Sequence, residues 1–317
     1  LFIAVSWPLY SKYKSKKHEF NEEQVELLNM TEENLNIFYE ESWRNYNKFS
    51  YLPFIGHSEK KRVGKFVNFD QRKGRKVVRP NICKSNVYLY GGSTMFGYNV
   101  TDEATIAQEL QNLVGDQYCV YNQGRAYFYS KQENNLFAQH IENNQKIDYA
   151  IFLDGINERC GGYEYDKHIN RSFQILVERP YKMWKKTSMD FAISLPLIQF
   201  YNSIQNKNRW INDGENNILE IESCKNKIPL DKLFEKRVNL RHALCNEEKI
   251  NCLSFLQPFA GVHGRQIEKL QSKQYQKKLL KKYNILKKNK RYVVDLGYVL
   301  NNDKTLSYID AVHYSPL

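Results

Sequence analysis

The sequence predicts an α/β fold built on a parallel sheet. Three short apolar segments, residues 87–92, 118–124 and 148–155, have the length and composition of strands, and helical segments at 102–114 and 130–143 lie between them. The strand segments are apolar on both faces, as a parallel sheet covered by helices on both sides requires. Regular alternation of strand and helix therefore sets the fold class.

The rest of the chain extends this pattern. Two more strands are predicted at 250–258 and 291–296, with a basic helical stretch over 273–291 between them. Residues 159–240 include Trp184, Trp210, Pro180 and Pro196, and we expect helices and loops that cap the sheet.

Residues 21–85 predict an extension that packs on the main domain. An acidic amphipathic helix is expected over 22–46, followed from 51 to 80 by short strands and turns punctuated by glycine and proline. The main domain is expected over 86–317. The chain stops just after its last motif, so we expect a closing helix to be missing.

The first ten residues are apolar, and the basic run SKYKSKK follows them. We interpret residues 1–20 as the end of a truncated membrane anchor with its basic flank. The alternative is a short core or interfacial segment, because ten residues cannot span a bilayer. The basic flank by itself argues for a cytoplasmic domain.

A net charge of +12 over 317 residues indicates an anionic partner or surface. Lysines recur among apolar residues throughout 273–291. This stretch is either a solvated amphipathic helix or a contact with acidic glycan or lipid head groups. Nucleic acid is not expected, because no helix-turn-helix, zinc-finger or RNA-binding signature accompanies the charge.

Six cysteines form no C-x-x-C pair and have no metal-like spacing with the histidines. They predict buried or free thiols, and neither a metal nor another cofactor is expected. An exported protein could pair them, but the sequence assigns no disulfide.

Polar motifs follow the predicted strands at the points where the strands end. GGST stands at 91–94, NQG at 122–124 and DGIN at 154–157, and DAVH stands near the end of the chain at 310–313. The ligand crevice of an open parallel sheet lies beyond the carboxyl ends of its strands. The first three motifs are therefore expected at one site.

In this order the four motifs resemble the serine, glycine, G-x-N and D-x-x-H blocks of the SGNH (GDSL-like) hydrolases. The GGST and DGIN forms, with Gln257-Pro258 after a late strand, look like a group of bacterial membrane-anchored SGNH proteins. The resemblance covers residue 86 to the end, although the middle third diverges and Glu158 stands where the family usually has Asp. It implies a flavodoxin-like three-layer α/β/α sandwich with a central parallel sheet and an activity on ester bonds.

The resemblance also assigns roles. Ser93 would be the nucleophile, His313 its base and Asp310 the carboxylate that orients the imidazole, because a serine hydroxyl needs such help near neutral pH. The oxyanion hole would comprise the backbone N–H groups of Ser93 and Gly124 and the side-chain amide of Asn157.

Neighbouring residues carry weaker expectations. Arg125, Tyr127 and Glu158 are candidates for a substrate pocket, with packing as the open alternative for the tyrosine. Gly92 and Gly97 are expected to let the backbone turn around Ser93. Gly124 is expected to leave room for substrate, since a side chain there would intrude on it.

The leading hypothesis is a serine esterase that deacylates a cell-envelope carbohydrate, membrane-anchored with its catalytic domain in the periplasm or outside the cell. An O-acyltransferase on the same scaffold is the second reading, because both reactions use the same three residues. A non-catalytic glycan-binding envelope protein is the third. The acyl group, the glycan and the side of the membrane stay open.

Overall fold

We examined a computed structural model of the chain. The described residues are 30–42, 49–159, 228–263, 273–288, 291–300, 308 and 312–315. The expected anchor, most of the segment 159–240, and Asp310 lie outside them.

The described part of the extension, residues 30–42 and 49–85, contains one helix and two small hairpins. The predicted helix is present over the part of 22–46 that is described, as α1 (Glu32–Ser42). The expected short strands follow as β1 (Phe49–Leu52), β2 (Gly56–Glu59), β3 (Phe69–Asp70) and β4 (Gly74–Arg75). Strands β1 and β2 form an antiparallel pair of their own.

Strands and helices alternate through the main domain, close to the predicted bounds. They are β5 (Ser85–Gly91), α2 (Ser93–Phe96), α3 (Ile106–Val114), β6 (Tyr118–Asn122), α4 (Ser130–Glu142), β7 (Tyr149–Asp154), α5 (Leu230–Glu247), β8 (Asn251–Leu256), α6 (Ala260–His263), α7 (Lys273–Leu286) and β9 (Val293–Asp295). The predicted helix over 102–114 divides into a 3₁₀ turn, Asp102–Ala104, and α3. Thr105 separates the two and caps α3 by accepting the backbone N–H of Gln108.

The described strands form a seven-stranded sheet in the order β3-β4-β6-β5-β7-β8-β9. The five strands from β6 to β9 in this order are parallel, and β3 and β4 are antiparallel. The parallel part has the order 2-1-3-4-5, which is that of flavodoxin-like doubly wound sheets. The predicted α/β class is confirmed, and the sequence did not predict that β3 and β4 would join the main sheet.

Strand β5 shows why the sheet needs helices on both faces. Tyr88 and Tyr90 point into a core with Phe137 of α4 and Cys245 of α5. Val87 and Leu89 point the other way, into a core that includes Ala107 of α3. Successive residues of a strand face opposite sides, so the described part of the main domain has three layers, with the sheet in the middle.

Four cysteines are paired, which corrects the expectation of buried or free thiols. Cys83 bonds to Cys119 of β6, and Cys245 of α5 bonds to Cys252 of β8. The remaining two, Cys160 and Cys224, lie outside the described residues. Among the described helices, none combines the length and the apolar character that crossing a bilayer requires.

Candidate active site

The turn after β5 places Ser93 at the start of a helix. Helix α2 runs from Ser93 to Phe96 and is capped by Gly97, whose backbone lies in the left-handed region at φ +84°. The carbonyl of Ser93 accepts the N–H groups of Gly97 and Tyr98, which closes the turn. The expected turning role of Gly97 is thus observed, because φ there favours glycine.

Gly92 has a different role from the one expected. Its φ is −79°, which any residue can adopt. A Cβ at Gly92, however, would lie 2.5 Å from Nδ2 of Asn157 and 3.1 Å from the carbonyl oxygen of Phe128. Gly92 therefore permits close approach of the asparagine amide to the serine turn.

The structure brings Ser93 and His313 together. His313 Nε2 lies 2.8 Å from Ser93 Oγ, although 220 residues separate them in the chain. The ring of Tyr98 lies 6.0 Å from the imidazole, centroid to centroid. The 2.8 Å distance between Ser93 Oγ and His313 Nε2 suits proton transfer from the hydroxyl to the imidazole.

Asn157 completes this cluster from the end of β7. Its Nδ2 donates to the carbonyl of Phe128 at 2.9 Å, which fixes the amide beside Gly92. An amide nitrogen carries two protons, so one remains for another acceptor at the serine turn. Strands β5 and β7 are neighbours at the point where the strand order reverses, where doubly wound sheets bind ligands.

Gly124 differs from the expectation in two ways. Its N–H donates to Oδ1 of Asn122 at 3.0 Å, so this group is already paired. A Cβ on Gly124 would meet the backbone of Met95 and Phe96 at 2.4–2.9 Å, so the close neighbour is helix α2. Its lack of a side chain is required by packing against the serine turn.

Asn122 is a site residue that the sequence analysis missed. Its Oδ1 holds Gly124, and its Nδ2 donates to the carbonyl of Met95 at 2.9 Å. The side chain thus links the end of β6 to α2. The available signal was an Asn two residues before a Gly, which is the pattern of an Asx turn.

The Gln257-Pro258 motif supports both halves of the Ser–His pair. The Gln257 amide donates to Oγ1 of Thr94 at 3.3 Å, next to Ser93. The carbonyl of Pro258 accepts the hydroxyl of Tyr314 at 2.9 Å, next to His313. One short segment after β8 therefore positions the residues beside the nucleophile and the imidazole.

Cations from the two long helices hold the loop that carries Asn157. Arg241 of α5 binds Asp154 with two hydrogen bonds of 2.8 and 2.9 Å. Lys282 of α7 donates to the carbonyl of Ile156 at 2.7 Å, and burial lowers the pKa of Lys282 to about 8. Arg237 of α5 pairs with Glu158 at 3.0 Å.

Glu59 and His57 of strand β2 hold the loop after β6, residues 124–128. The Glu59 carboxylate accepts the N–H of Ala126 at 2.7 Å, and His57 Nε2 lies 2.8 Å from the Ala126 carbonyl oxygen. Burial lowers the pKa of His57 to about 4, so the imidazole is neutral and donates at Nε2. Burial raises the pKa of Glu59.

The residues expected at a substrate pocket do not behave alike. Arg125 is fully buried, and its guanidinium donates to Ser58, Gln123 and backbone carbonyls. Glu158 is buried too, between Arg237 and the N–H of Ser130. Arg125 forms a buried ion pair with Glu59 at 4.0 Å, as Glu158 does with Arg237, so neither side chain faces an open substrate pocket. Tyr127, in contrast, is 52 % exposed.

A second Ser–His contact exists away from this edge. His242 Nε2 lies 3.2 Å from Ser254 Oγ. Ser254 is buried in the middle of β8, paired with β7 and β9, and the His242 ring stacks on Tyr292. Ser254 lies within a strand and not on a turn that would present its hydroxyl to a substrate. Variants of this pair are therefore suitable controls for variants of Ser93 and His313.

The remaining candidate is the orienting carboxylate. Asp310 lies outside the described residues. No group of three or more His, Cys, Asp or Glu side chains in the described part of the chain has an arrangement that could hold a metal ion.

Two solved structures resemble the chain at low similarity. One is an acetyl xylan esterase, with 15% identity over 73% of this chain and 92% of its own and a TM-score of 0.36. The other is an α/β hydrolase enzyme from the metagenome of Lake Arreo, Spain, with 10% identity over 74% of this chain and 89% of its own and a TM-score of 0.38. No protein-family model matches the sequence, and no curated protein matches it.

Proposed function

We propose that this protein is a serine ester hydrolase of the SGNH type, with Ser93 as nucleophile and His313 as general base. The observation that carries the proposal is the 2.8 Å contact between Ser93 Oγ and His313 Nε2. This contact lies at the carboxyl end of the parallel sheet, beside the amide of Asn157. Asp310 would accept the Nδ1–H of the imidazole and so fix the tautomer in which Nε2 is free to take the serine proton.

The reaction would proceed in two acyl transfers. As Ser93 Oγ attacks the ester carbonyl carbon, its proton passes to His313 Nε2. The imidazolium then protonates the leaving alcohol, and the C–O bond to that alcohol breaks to give an acyl-serine. Water repeats these steps, so that the carboxylic acid is released and Ser93 regains its proton.

Two donors are placed to stabilise the oxyanion. They are the backbone N–H of Ser93, at the start of α2, and the amide of Asn157. The N–H of Gly124 would have to leave Asn122 before it could contribute. We therefore propose a hole made chiefly by the first two groups.

The proposed substrate is an acylated carbohydrate of the cell envelope, outside the cytosol. The two disulfides support this location, because disulfides persist in oxidising compartments and are rare in the cytosol. The proposed arrangement is a membrane-anchored chain with its catalytic domain in the periplasm or at the cell exterior.

The first test is turnover of an aryl acetate together with labelling by a fluorophosphonate. Ser93→Ala and His313→Gln should lower kcat/KM by roughly 10⁴-fold or more and abolish labelling. His242→Gln and Ser254→Ala alter the second Ser–His pair and should leave both readouts intact. Equal labelling of wild type and Ser93→Ala would refute the assignment of the nucleophile.

The second test concerns the oxyanion hole. Asn157→Ala should lower kcat by roughly 10²–10³-fold, as loss of one such donor typically does. Its KM and thermal midpoint should change little, because the amide makes one hydrogen bond to Phe128 in the resting structure. A matching loss of stability would instead mark Asn157 as a structural residue.

A further inference from the structure

A cleft on the β3–β4 side of the sheet carries a strong excess of positive over negative side chains. It has a volume of about 480 Å³, within the range of small-ligand pockets. Its lining includes six cationic side chains, Lys61, Arg62, Lys73, Arg75, Lys76 and Arg79, against one acidic one, Asp70. The cleft is separate from the basic helix α7, on which the sequence analysis centred its anionic partner.

The one carboxylate of the cleft is already committed to its own turn. Asp70 Oδ1 accepts the backbone N–H groups of Arg72 and Lys73 at 3.0 and 3.1 Å. Lys61, Lys73 and Lys76 are exposed, and no ion pair to a described carboxylate is found for any of them. The cleft therefore keeps an unbalanced positive charge.

The floor of the cleft is continuous with the turn that carries Ser93. Arg75 donates to the carbonyls of Gly97 and Val100 at 3.0 and 2.9 Å and pairs with Asp102 at 2.6 Å. Its guanidinium also lies over the ring of Phe96, 4.9 Å from the centroid. Arg75 thus connects the lining of the cleft to the residues that follow the nucleophile.

We propose that this cleft binds an acidic, carboxylate-bearing polysaccharide, and that this polysaccharide carries the ester presented to Ser93. The proposal rests on the esterase function proposed above. A linear polymer with repeated carboxylates matches a cleft whose lining includes several lysines and arginines.

Other polyanions fit the cleft less well. The cations line a concavity, whereas a flat anionic membrane needs protruding ones. Single-stranded nucleic acid needs exposed rings for stacking, but the Tyr121 ring of the lining is covered by Arg79, 4.1 Å from its centroid. The disulfides also place the chain where nucleic acid is scarce.

The binding test uses a fluorescent oligogalacturonate, with neutral dextran of equal size as the comparison. The double variant Lys73→Glu/Lys76→Glu should weaken oligogalacturonate binding about tenfold at low salt, because several exposed charge contacts are reversed. The matched control, Lys277→Glu/Lys281→Glu, makes the same charge change on exposed positions of α7 and should stay within about twofold of wild type.

Three results would overturn the cleft proposal. The first is that dextran binds as tightly as oligogalacturonate. The second is that the α7 control loses more oligogalacturonate affinity than the cleft variant does. The third is that the protein binds phosphatidylglycerol vesicles or duplex DNA and that oligogalacturonate does not displace them. The last would assign the cleft to a membrane or to nucleic acid.

The substrate part is tested by kinetics. On O-acetylated polygalacturonate the cleft variant should raise KM about tenfold with kcat unchanged, matching the loss in binding. Its turnover of an aryl acetate and of O-acetylated dextran should equal that of wild type. If the cleft variant and wild type have the same KM for the acidic polymer, the polymer is not the substrate that the cleft presents to Ser93. If the fluorophosphonate does not label Ser93 in the wild-type protein, the esterase function is refuted, whereas the binding result stands.

Discussion

The loop after β6 and the loop after β7 reach the same serine turn, but different groups hold them. Residues 124–128 are held by a neutral histidine and a carboxylate of β2, which bind the backbone of Ala126. Residues 154–158 are held by Arg241, Arg237 and Lys282 of the two long helices. The first loop depends on the extension that precedes the main domain, and the second on helices close to the end of the chain.

This difference has a consequence for pH and for mutation. Protonation of the His57 imidazole keeps its Nε2–H donor but places a positive charge in a buried site close to other cations, whereas arginine stays charged at all working pH values. The β6 side should therefore lose stability in acid through His57. Conversely, removing one partner of the buried ion pair should damage the β7 side more than any single change on the other side.

The largest effect is expected from Arg241→Met. This change leaves Asp154 buried and unpaired, which typically costs about 3–5 kcal/mol. Denaturant unfolding measures this loss. Lys232→Met removes an exposed ion pair with Glu235 on the same helix and should leave the midpoint unchanged. Equal stability of Arg241→Met and wild type would contradict the role given to the buried pair.

The next effect is acid sensitivity of the β6 side. Because the pKa of His57 is lowered to about 4, the unfolded chain binds a proton that the folded chain does not bind between pH 6.5 and 4. Stability is therefore complete above pH 6.5 and falls through this window by up to about 3 kcal/mol.

His57→Gln keeps an N–H donor for Ala126 but does not titrate. Its unfolding free energy should be flatter than that of wild type between pH 6.5 and 4. His242→Gln is the comparison: this imidazole is only half buried, and burial lowers its pKa as well, so the variant should flatten the profile less than His57→Gln does. Parallel pH profiles for wild type and His57→Gln would show that His57 does not set the acid response.

Two glycine variants should separate packing from chemistry. Gly124→Ala places a Cβ against the backbone of α2 and should cost roughly 1–3 kcal/mol of stability, as overpacking does. Gly92→Ala meets mainly the flexible amide of Asn157, so it should lower kcat more than stability. Thermal melts and aryl acetate kinetics on both variants give the comparison; the reverse ranking would contradict the assigned neighbours.

The smallest effect is expected from Lys282→Met. It removes the donor to the Ile156 carbonyl and should loosen the Asn157 loop, lowering kcat about tenfold, which corresponds to about 1.4 kcal/mol in the barrier. KM should stay the same, because Lys282 contacts only the loop. Lys281→Met, at an exposed neighbouring position, is the control. An equal drop in kcat in both variants would show that Lys282 does not position the Asn157 loop.

The sequence predicted the alternation of β5 to β7 with α3 and α4 because apolar periodicity and helix-ending glycines are local signals. It also indicated Ser93, Gly124 and Asn157, since each follows a predicted strand. It missed Asn122 and the reach of Gln257 to Thr94, because their partners lie on other elements. Strands β3 and β4, of two residues each, are too short to show a periodicity.

The amino-acid order by itself determined the α/β class, the strand ends that carry polar residues and the excess of positive charge. Only the tertiary structure decided that Ser93 meets His313 and that Arg125 and Glu158 are buried ion-pair members. It also decided which cysteines pair and where the exposed cations gather into a cleft. The physical reason is distance along the chain: local propensity acts over a few residues, whereas these contacts join segments that come together only when the sheet forms.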